Sequence, residues 1–406
     1  TYICALKACG IVGSSEIVED IEAKVRKKKS LQKSVRLRTA LVDMYAKCGA
    51  LEKAREVFEE LPMQNVVTWS ALISGYAQHG YGDEALKCFE DMKIDGVSPN
   101  AITLTFALKA CGACGDIDNG TKIHDEIVRR GFLETNLVLQ NALLDMYARC
   151  GHFVKALEVI YELGSARNKV SWNALIAAYS QQGLAEEALD CLNMMRQDGI
   201  LPDEITFTCS LKACGSMGAF GKGKEINDEI DKQGLLEKDI VLGTALVNMY
   251  TRCGALAKAY EVLQKLPDRS VISWNALISG YAQQGQAKEA MACFKQMLSE
   301  RIKPNLVTFL CLLNACSHSG LVDEGETCFV NMCRCHGLLL DLGHYTCIVD
   351  ILGRAGHLDK AAMAITRMPC SDYPPVWAAL LGACRKWGDV DLGRLAFENA
   401  AQLDGN

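Results

Sequence analysis

The stretch VVTWSALISGYAQHGYGDEALKCFEDMKIDGVSPN, residues 66–100, decides the fold. Its first apolar residues recur at the spacing i, i+3, i+4, i+7, which is typical of an amphipathic helix. These residues are Trp69, Leu72, Ile73 and Tyr76. Gly80 and Gly82 interrupt the pattern, and Asp83 can cap a second helix. The apolar face of that second helix consists of Ala85, Leu86, Phe89 and Met92. The stretch therefore predicts a helical hairpin.

Phrases of this kind return along the chain with a period of 102 or 103 residues. KACG stands at 7–10, 109–112 and 212–215; MYAKCG at 44–49 returns as MYARCG at 146–151 and MYTRCG at 249–254; WSALI at 69–73 returns as WNALI at 172–176 and 274–278. Each period thus holds three hairpins. A hairpin cannot bury both of its faces alone, so neighbouring hairpins must stack. We therefore expect an all-α fold, a right-handed superhelical solenoid of tandem helix-turn-helix repeats.

The composition excludes several classes of protein. Half of the 406 residues are apolar, 23% are charged and 8 are prolines, which excludes a disordered or collagen-like chain. The net charge of -6 gives no global positive field, so binding to nucleic acid would need a local basic track. No apolar run approaches the roughly 18 residues of a membrane span, and no charged-then-apolar leader precedes Thr1. We expect a soluble protein without membrane insertion.

The 20 cysteines fall mainly at helical core positions, which favours buried thiols in a reducing compartment. Two groups leave a metal site as an alternative. Cys111 and Cys114 form an isolated CxxC pair. A denser group has a spacing that matches no standard zinc finger; it contains Cys328, Cys333, Cys335, His336, His344 and Cys347. We favour packing thiols at both places and expect neither a metal nor another cofactor.

Catalytic motifs are incomplete in the sequence. His124-Asp125-Glu126 matches the H-x-E half of a zinc deaminase motif, but the CxxC pair precedes it and lacks the proline. Neither a G-x-x-x-x-G-K-[ST] phosphate loop nor a G-x-S-x-G elbow occurs. The sequence therefore predicts a binding protein rather than an enzyme.

The phrases MYAKCG, WNALISGYAQ and LNACSHSGLVDEG resemble those of the plant-type PLS class of pentatricopeptide repeat proteins, which bind RNA. Tetratricopeptide arrays, which bind proteins, use hairpins of similar length. Two features favour the pentatricopeptide family: the repeats alternate among about 35, 36 and 31 residues, and Pro is followed by Asn or Asp. These dipeptides are Pro99-Asn100, Pro202-Asp203 and Pro304-Asn305.

The resemblance implies a register that covers the whole chain. A partial L repeat at 1–34 is followed by S 35–65, P 66–100, L 101–136, S 137–168, P 169–203, L 204–239, S 240–270 and P 271–305, then by an L-like repeat at 306–341 and an S-like repeat at 342–372. Residues 373–406 resemble the E1 motif that follows such arrays, in particular the phrase VWAALLGAC at 376–384. We expect the chain to be an excerpt of a longer protein.

In this family the fifth and last residues of each repeat select an RNA base. Short polar side chains offer defined donors and acceptors to an unpaired Watson–Crick edge. The fifth residues are Thr39, Ser70, Thr105, Asn141, Asn173, Thr208, Thr244, Asn275 and Thr346. The last residues are Asn65, Asn100, Asn136, Asn168, Asp203, Asp239, Ser270, Asn305 and Asp372. Taken alone, the last residues are equally typical of loops and helix starts.

The second residue of each repeat supplies the stacking surface in this family. Here these residues are β-branched and apolar: Val67, Ile102, Val138, Val170, Ile205, Val241, Ile272 and Val307. They could sandwich a base or pack between helices, and the sequence does not separate the two. Arg36 and Gly343 depart from the pattern.

One cation recurs at an equivalent place in the four S repeats, at Lys47, Arg149, Arg252 and Arg354. These side chains could meet RNA phosphates or complement the dipole at a helix end. The basic run Arg26-Lys27-Lys28-Lys29 is more typical of a solvated face or loop.

The resemblance implies sequence-specific binding of single-stranded RNA in a mitochondrion or plastid. The chain would select sites for RNA processing or cytidine-to-uridine editing, with a deaminase in a further segment or in a partner, or with other ribonucleoprotein subunits. The alternative is a protein-binding solenoid within an organellar complex, which the negative charge supports.

Overall fold

The computed structural model describes residues 5–6, 15–26, 35–133, 136–164, 167–236, 239–369 and 372–404. The phrase KACG at 7–10 and the lysines of the run 26–29 lie outside these residues. The chain forms two compact parts, an N-terminal half (residues 1–202) and a C-terminal half (residues 203–406). The described residues contain helices and no strands.

The N-terminal half contains eleven described helices. They are α1 (Ser15–Arg26), α2 (Val35–Lys47), α3 (Leu51–Glu59), α4 (Val66–Gln78), α5 (Gly82–Ile94), α6 (Ala101–Cys114), α7 (Ile117–Arg129), α8 (Leu137–Arg149), α9 (Phe153–Glu162), α10 (Lys169–Gln181) and α11 (Ala185–Gln197).

The C-terminal half contains twelve described helices. They are α12 (Glu204–Met217), α13 (Phe220–Gln233), α14 (Ile240–Arg252), α15 (Leu256–Lys265), α16 (Val271–Gln283), α17 (Ala287–Ser299), α18 (Leu306–Ser319), α19 (Val322–Arg334), α20 (Leu342–Arg354), α21 (Leu358–Thr366), α22 (Pro374–Trp387) and α23 (Val390–Asp404).

Each even-numbered helix is the first helix of a hairpin, and the following odd-numbered helix packs against it. Within each half, the first helix of one hairpin also packs on the first helix of the next, from α2 to α10 and from α12 to α22. The first helices therefore form one layer in each half. The expected all-α array of tandem helical hairpins is confirmed.

The repeated phrases supply the core between the hairpins. Trp69, Trp172 and Trp274 occupy the same place in three hairpins, and all three are almost completely buried. Gly75 of α4 lets the neighbouring first helix approach closely, because a Cβ at this position would lie 2.6 Å from Ala46 Cβ. Burying one such aromatic side chain contributes a few kcal/mol. None of the described helices is long and apolar enough to span a membrane.

Candidate nucleic-acid interface

The residues that the register places last in each repeat cap the first helix of the next one. Asn65 Oδ1 accepts hydrogen bonds from the backbone N–H groups of Val67 (2.9 Å) and Thr68 (3.1 Å). Equivalent caps are formed by Asn100, Asn136, Asn168, Asp203, Asp239, Ser270 and Asn305. Helix capping, the alternative interpretation, is therefore a role that these residues have in the structure. Asp372 differs, because the cap residue of α22 is Tyr373.

The residues at the fifth positions lie one turn inside the same helices. Most of the hydroxyls donate to the carbonyl four residues earlier, as in Thr39 to Val35 (2.9 Å) and Thr244 to Ile240 (2.8 Å). Ser70, Thr105 and Thr346 do the same. The lone pairs of these oxygens then remain able to accept a further hydrogen bond.

In two of the P repeats the fifth residue is linked to the hairpin that follows. Ser70 Oγ lies 2.7 Å from Thr103 Oγ1. At the equivalent place in the C-terminal half, Thr308 Oγ1 donates to Asn275 Oδ1 (2.6 Å), and Asn275 Nδ2 donates to Asn305 Oδ1 (3.0 Å). Ser70 and Asn275 are consequently only 7% and 8% exposed. A ligand would meet side chains that are already oriented by protein hydrogen bonds.

The eight β-branched second residues are exposed, although they are apolar. They lie on the first turns of α4, α6, α8, α10, α12, α14, α16 and α18, and their exposed fractions range from 51% for Val307 to 66% for Val138. Side chains that pack fully between helices would be buried, whereas about half or more of each of these is accessible to a ligand. Arg36, at the same position in α2, is also exposed, and Gly343 in α20 is half-buried.

Grooves between successive first helices bring the three sets of residues together. A groove of about 470 Å³ in the C-terminal half is lined by Val241, Thr244, Ser270 and Ile272 and by the fifth residue of the preceding repeat, Thr208. Its volume lies within the range of about 300–1,000 Å³ that is typical of small-ligand sites. The second residues Val241 and Ile272 thus line the same groove as the fifth residue, Thr244, and the last residue, Ser270, of one repeat.

The N-terminal half contains a groove of the same construction. This groove of about 650 Å³ is lined by Thr39, Asn65, Val67, Ser70 and Ile102. Apolar second residues again line the groove that also contains the polar fifth and last residues. An exposed apolar pair beside oriented donors and acceptors can hold a flat, hydrogen-bonding ligand such as an unpaired base.

The fifth residue of the repeat at 137–168 has an unmet hydrogen-bonding group. Asn141 Oδ1 is buried and accepts no hydrogen bond from the described residues. A buried acceptor without a partner is uncommon in folded proteins.

The four S-repeat cations are the last residues of α2, α8, α14 and α20 and are exposed. Three of them form ion pairs with an aspartate four residues earlier: Lys47 with Asp43 (2.8 Å), Arg149 with Asp145 (3.0 Å) and Arg354 with Asp350 (2.8 Å). Both interpretations of these cations, phosphate contact and dipole complement, are compatible with a position at the helix end.

The cysteines include both buried and exposed thiols. Cys111 and Cys214 are buried in their helices, and burial raises their pKa to about 12 and about 11, so they stay protonated. Cys114, Cys333 and Cys335 are exposed, which differs from the expected core placement. Within the described residues, no three His, Cys, Asp or Glu side chains are grouped as metal ligands. His124 Nδ1 instead lies 2.8 Å from the Tyr147 hydroxyl.

In the P and L repeats, sequence reasoning missed the contacts of the third residue, which support the capping and base-reading positions. The side-chain oxygens of Thr68, Ser171 and Ser273 accept a hydrogen bond from the backbone N–H of the cap residue, which completes a capping box. Thr103 and Thr308 also contact the fifth residue of the preceding repeat. The signal was available for the complete P and L repeats and the L-like repeat, since Ser or Thr stands three positions after each capping residue there, as Thr68, Thr103, Ser171, Thr206, Ser273 and Thr308.

His344 occupies the third position of the last S-like repeat, where the other S repeats have Leu37, Leu139 and Leu242. Its Nδ1 lies 2.5 Å from Asp341 Oδ1, and its Nε2 lies 2.9 Å from the Leu306 carbonyl oxygen. Burial raises the pKa of Asp341, but the backbone and ring N–H groups of His344 outweigh this and hold the pKa below its usual value. Asp341 is therefore ionised where it caps α20.

The fold and these grooves define a tandem helical-hairpin repeat protein. The PPR repeat model matches residues 38–66, 141–167 and 307–336, and the PPR repeat family model matches 64–113, 167–216 and 269–318. These segments together cover more than half of the chain. The chain belongs to the pentatricopeptide repeat family.

Relatives in Arabidopsis thaliana are similar over almost the whole chain. The mitochondrial pentatricopeptide repeat-containing protein At1g06140 is 36% identical over 405 residues, which are 99% of this chain and 72% of that protein. The chloroplastic proteins At1g11290 and CRR2 are 38% and 39% identical over 91% of this chain. The chain spans 45% and 56% of the length of these two relatives.

Solved structures show the same fold. The pentatricopeptide repeat protein PPR10, solved in complex with an 18-nucleotide psaJ RNA element, matches 92% of this chain with a TM-score of 0.75 and 20% identity, over 56% of its own length. PPR10 from maize matches the full chain with a TM-score of 0.54.

Proposed function

We propose that this chain binds single-stranded RNA with one base held in each groove between successive first helices, and that most of these grooves, though not all, select which base they hold. The groove composition carries the proposal, because in both halves two exposed β-branched residues line the same groove as a fifth and a last residue. The solved PPR10 structure with an RNA element supports it, since that protein has the same fold. The unmet acceptor of Asn141 is consistent with a site that completes its hydrogen bonds on a ligand.

The helix caps give the last residue a chemical role in base selection. A capping Asn uses Oδ1 as the acceptor for backbone N–H groups, which leaves its Nδ2 as a donor. A donor suits adenine and cytosine, whose Watson–Crick edges carry an unprotonated ring nitrogen. An Asp at the same place offers a second acceptor oxygen instead, which suits the ring N–H of guanine or uracil. The size of the fifth residue then separates the larger purines, beside Ser or Thr, from pyrimidines, beside Asn.

The base preferences that the resemblance to the PLS class implies, with repeats from N to C reading RNA from 5′ to 3′ as in that class, give a target. The pairs are Thr39 with Asn65 and Ser70 with Asn100 for adenine; Asn141 with Asn168 and Asn275 with Asn305 for a pyrimidine; Asn173 with Asp203 for uracil; and Thr346 with Asp372 for guanine. The weaker L repeats add adenine through Thr105 with Asn136 and guanine through Thr208 with Asp239. Thr244 with Ser270, and Leu310 with Asp341, select no base. The core target is A-A-(A)-Y-U-(G)-N-Y-N-G, where Y is a pyrimidine.

We also propose that the chain is a PLS-class protein, with the order of L, S and P repeats from residue 1 to residue 372 and an E1-like motif at 373–406. First helices begin at the residues where that register starts its repeats, for example Val66, Ala101 and Leu137. Such a protein acts as a non-catalytic site-recognition factor for organellar RNA processing or editing. The mitochondrial and chloroplastic designations of its relatives support one of these two locations.

Fluorescence anisotropy with labelled oligonucleotides tests the proposal. Single-stranded RNA carrying the core target should bind, whereas the duplex of the same strand should not, because its Watson–Crick edges are paired. Equal binding of strand and duplex would contradict base recognition. Absence of RNA binding would favour a protein-binding solenoid, which the net charge of -6 makes the second candidate.

A further inference from the structure

The four S-repeat cations differ in the residue that stands four positions earlier. Lys47, Arg149 and Arg354 each have an aspartate there and form an ion pair with it. The equivalent residue before Arg252 is Asn248, and Arg252 forms no ion pair with any described residue. The positive charge of Arg252 is therefore not neutralised within its own repeat.

A second cation lies in the same groove as Arg252. Lys212 of α12 and Arg252 of α14 both line the 470 Å³ groove, together with Asn248, and none of the described residues that line it is acidic. Gly215 allows the stem of Arg252 to lie against α12, because a Cβ at Gly215 would be 3.2 Å from Arg252 Cδ. The groove thus contains two cations beside the proposed base-reading residues.

The N-terminal half contains an equivalent site, in which the arginine has the same surroundings but is paired with an aspartate. Gly112 of α6 is at the position equivalent to Gly215, and a Cβ added there would lie 3.2 Å from Arg149 Cδ. Arg149 is paired with Asp145, however, and Lys109 Nζ is held 5.3 Å from the centre of the Phe106 ring. The residue equivalent to Phe106 in the C-terminal half is Cys209, which offers no such ring.

We propose that Lys212 and Arg252 form the main phosphate-binding site of the described chain. In each S repeat, the residue four positions before the cation then determines how tightly that cation binds phosphate. The inference rests on the proposed RNA binding. It adds that the repeats contribute unequally to the binding of the RNA phosphates. Asp43, Asp145 and Asp350 compete with phosphate for their cations. Asn248 does not compete, because its amide is neutral.

Reciprocal exchange of the acid and the amide tests this inference. Asn248→Asp should weaken binding of single-stranded RNA about two- to fivefold, the typical effect of one exposed ion pair, and should flatten the plot of log affinity against log salt by up to about 0.7. Asp145→Asn should strengthen binding by a similar factor and steepen the plot. Gln233→Glu and Asp190→Asn make the same changes of net charge at exposed positions outside the groove and serve as controls.

A second probe separates the failure of this inference from the failure of RNA binding. Inorganic polyphosphate carries the phosphate charge without bases, so Asn248→Asp should weaken its binding and Asp145→Asn should strengthen it. If RNA binds and neither exchange differs from its control, the phosphate site is wrong while the proposed function stands. If RNA does not bind but the exchanges change polyphosphate binding as expected, the phosphate site stands and the proposed function is wrong.

Discussion

Asn275 Nδ2 donates a hydrogen bond of 3.0 Å to Asn305 Oδ1, so the fifth and last residues of one repeat are in direct contact. Asn305 Oδ1 also accepts from the Thr308 backbone N–H (3.0 Å), as the cap of α18. This oxygen is therefore fully used within the protein. The amide nitrogen of Asn305, which donates to no described residue, is the atom left for a base.

Replacing that nitrogen with oxygen should change the selected base without changing the fold. Asn305→Asp retains the cap, because Asp203 caps α12 through the same contacts with Thr206. The new carboxylate oxygen accepts from the N–H of uracil and repels the unprotonated nitrogen of cytosine. We expect binding selections with a randomised RNA pool to shift this position from either pyrimidine towards uracil.

Thermal unfolding supplies the control for this substitution. The free energy of unfolding of the Asn305→Asp variant should equal that of the unmodified chain to within a few tenths of a kcal/mol, because Asn and Asp cap helices about equally well. A large drop in stability would mean that the contacts around Thr308 depend on the amide. An unchanged base preference in a stable variant would show that Asn305 does not face the RNA.

The repeat at 169–203 gives a prediction at the fifth position. Asn173→Thr should move the preference from uracil towards guanine, because the shorter hydroxyl side chain cannot keep the contacts of the amide and leaves room for a purine. One lost base contact is worth about 1–3 kcal/mol, or roughly five- to a hundredfold in affinity. The same pool selection measures the shift. Enrichment of the core target without a shift at this base would mean that the register is displaced.

The exposed second residues should affect RNA affinity and leave stability unchanged. Val241→Thr keeps the shape of the side chain but replaces one methyl group, so we expect about a fivefold loss of affinity, from roughly 1 kcal/mol of lost apolar contact. Val247→Thr, at a fully buried position of the same helix, is the matched control. It should instead lower the free energy of unfolding by roughly 1–3 kcal/mol. A destabilised Val241→Thr variant would favour a packing role.

Salt dependence measures the phosphate contacts of all four S-repeat cations. Replacing Lys47, Arg149, Arg252 and Arg354 with Gln should weaken the binding of different RNAs to a similar extent and flatten the slope of log affinity against log salt by up to about 2 to 3, at about 0.7 per full contact, with the largest single contribution from Arg252. Titrations at several salt concentrations would measure this slope. An unchanged slope would remove these cations from the interface.

The helical period of the apolar residues was enough to predict the hairpins. Trp69, Leu72, Ile73 and Tyr76 are spaced for one face of a helix, and all four are buried in α4. The repetition of this pattern then predicted the stacking, because a hairpin leaves an apolar face that only another hairpin can cover. The capping function of Asn65 and its equivalents was also within reach of sequence, as an alternative to base selection.

The remaining features depend on three-dimensional placement. No local pattern distinguishes Val67 from a core valine, and its exposure follows from which side of α4 faces the neighbouring helix. The bond between Ser70 and Thr103 joins side chains 33 residues apart, so spacing within one helix did not reveal it. The exposure of Cys114 was missed for a different reason. This residue lies at the end of α6, where the helical period no longer indicates which side chains are buried.

Selection from a randomised single-stranded RNA pool by the unmodified chain tests the central claim most directly. Sequence-specific binding predicts enrichment of A-A-(A)-Y-U-(G)-N-Y-N-G, with the uracil opposite Asn173 and Asp203 as its most strongly selected position. A pool that emerges without sequence enrichment would contradict base recognition by this array and favour a solenoid that binds proteins.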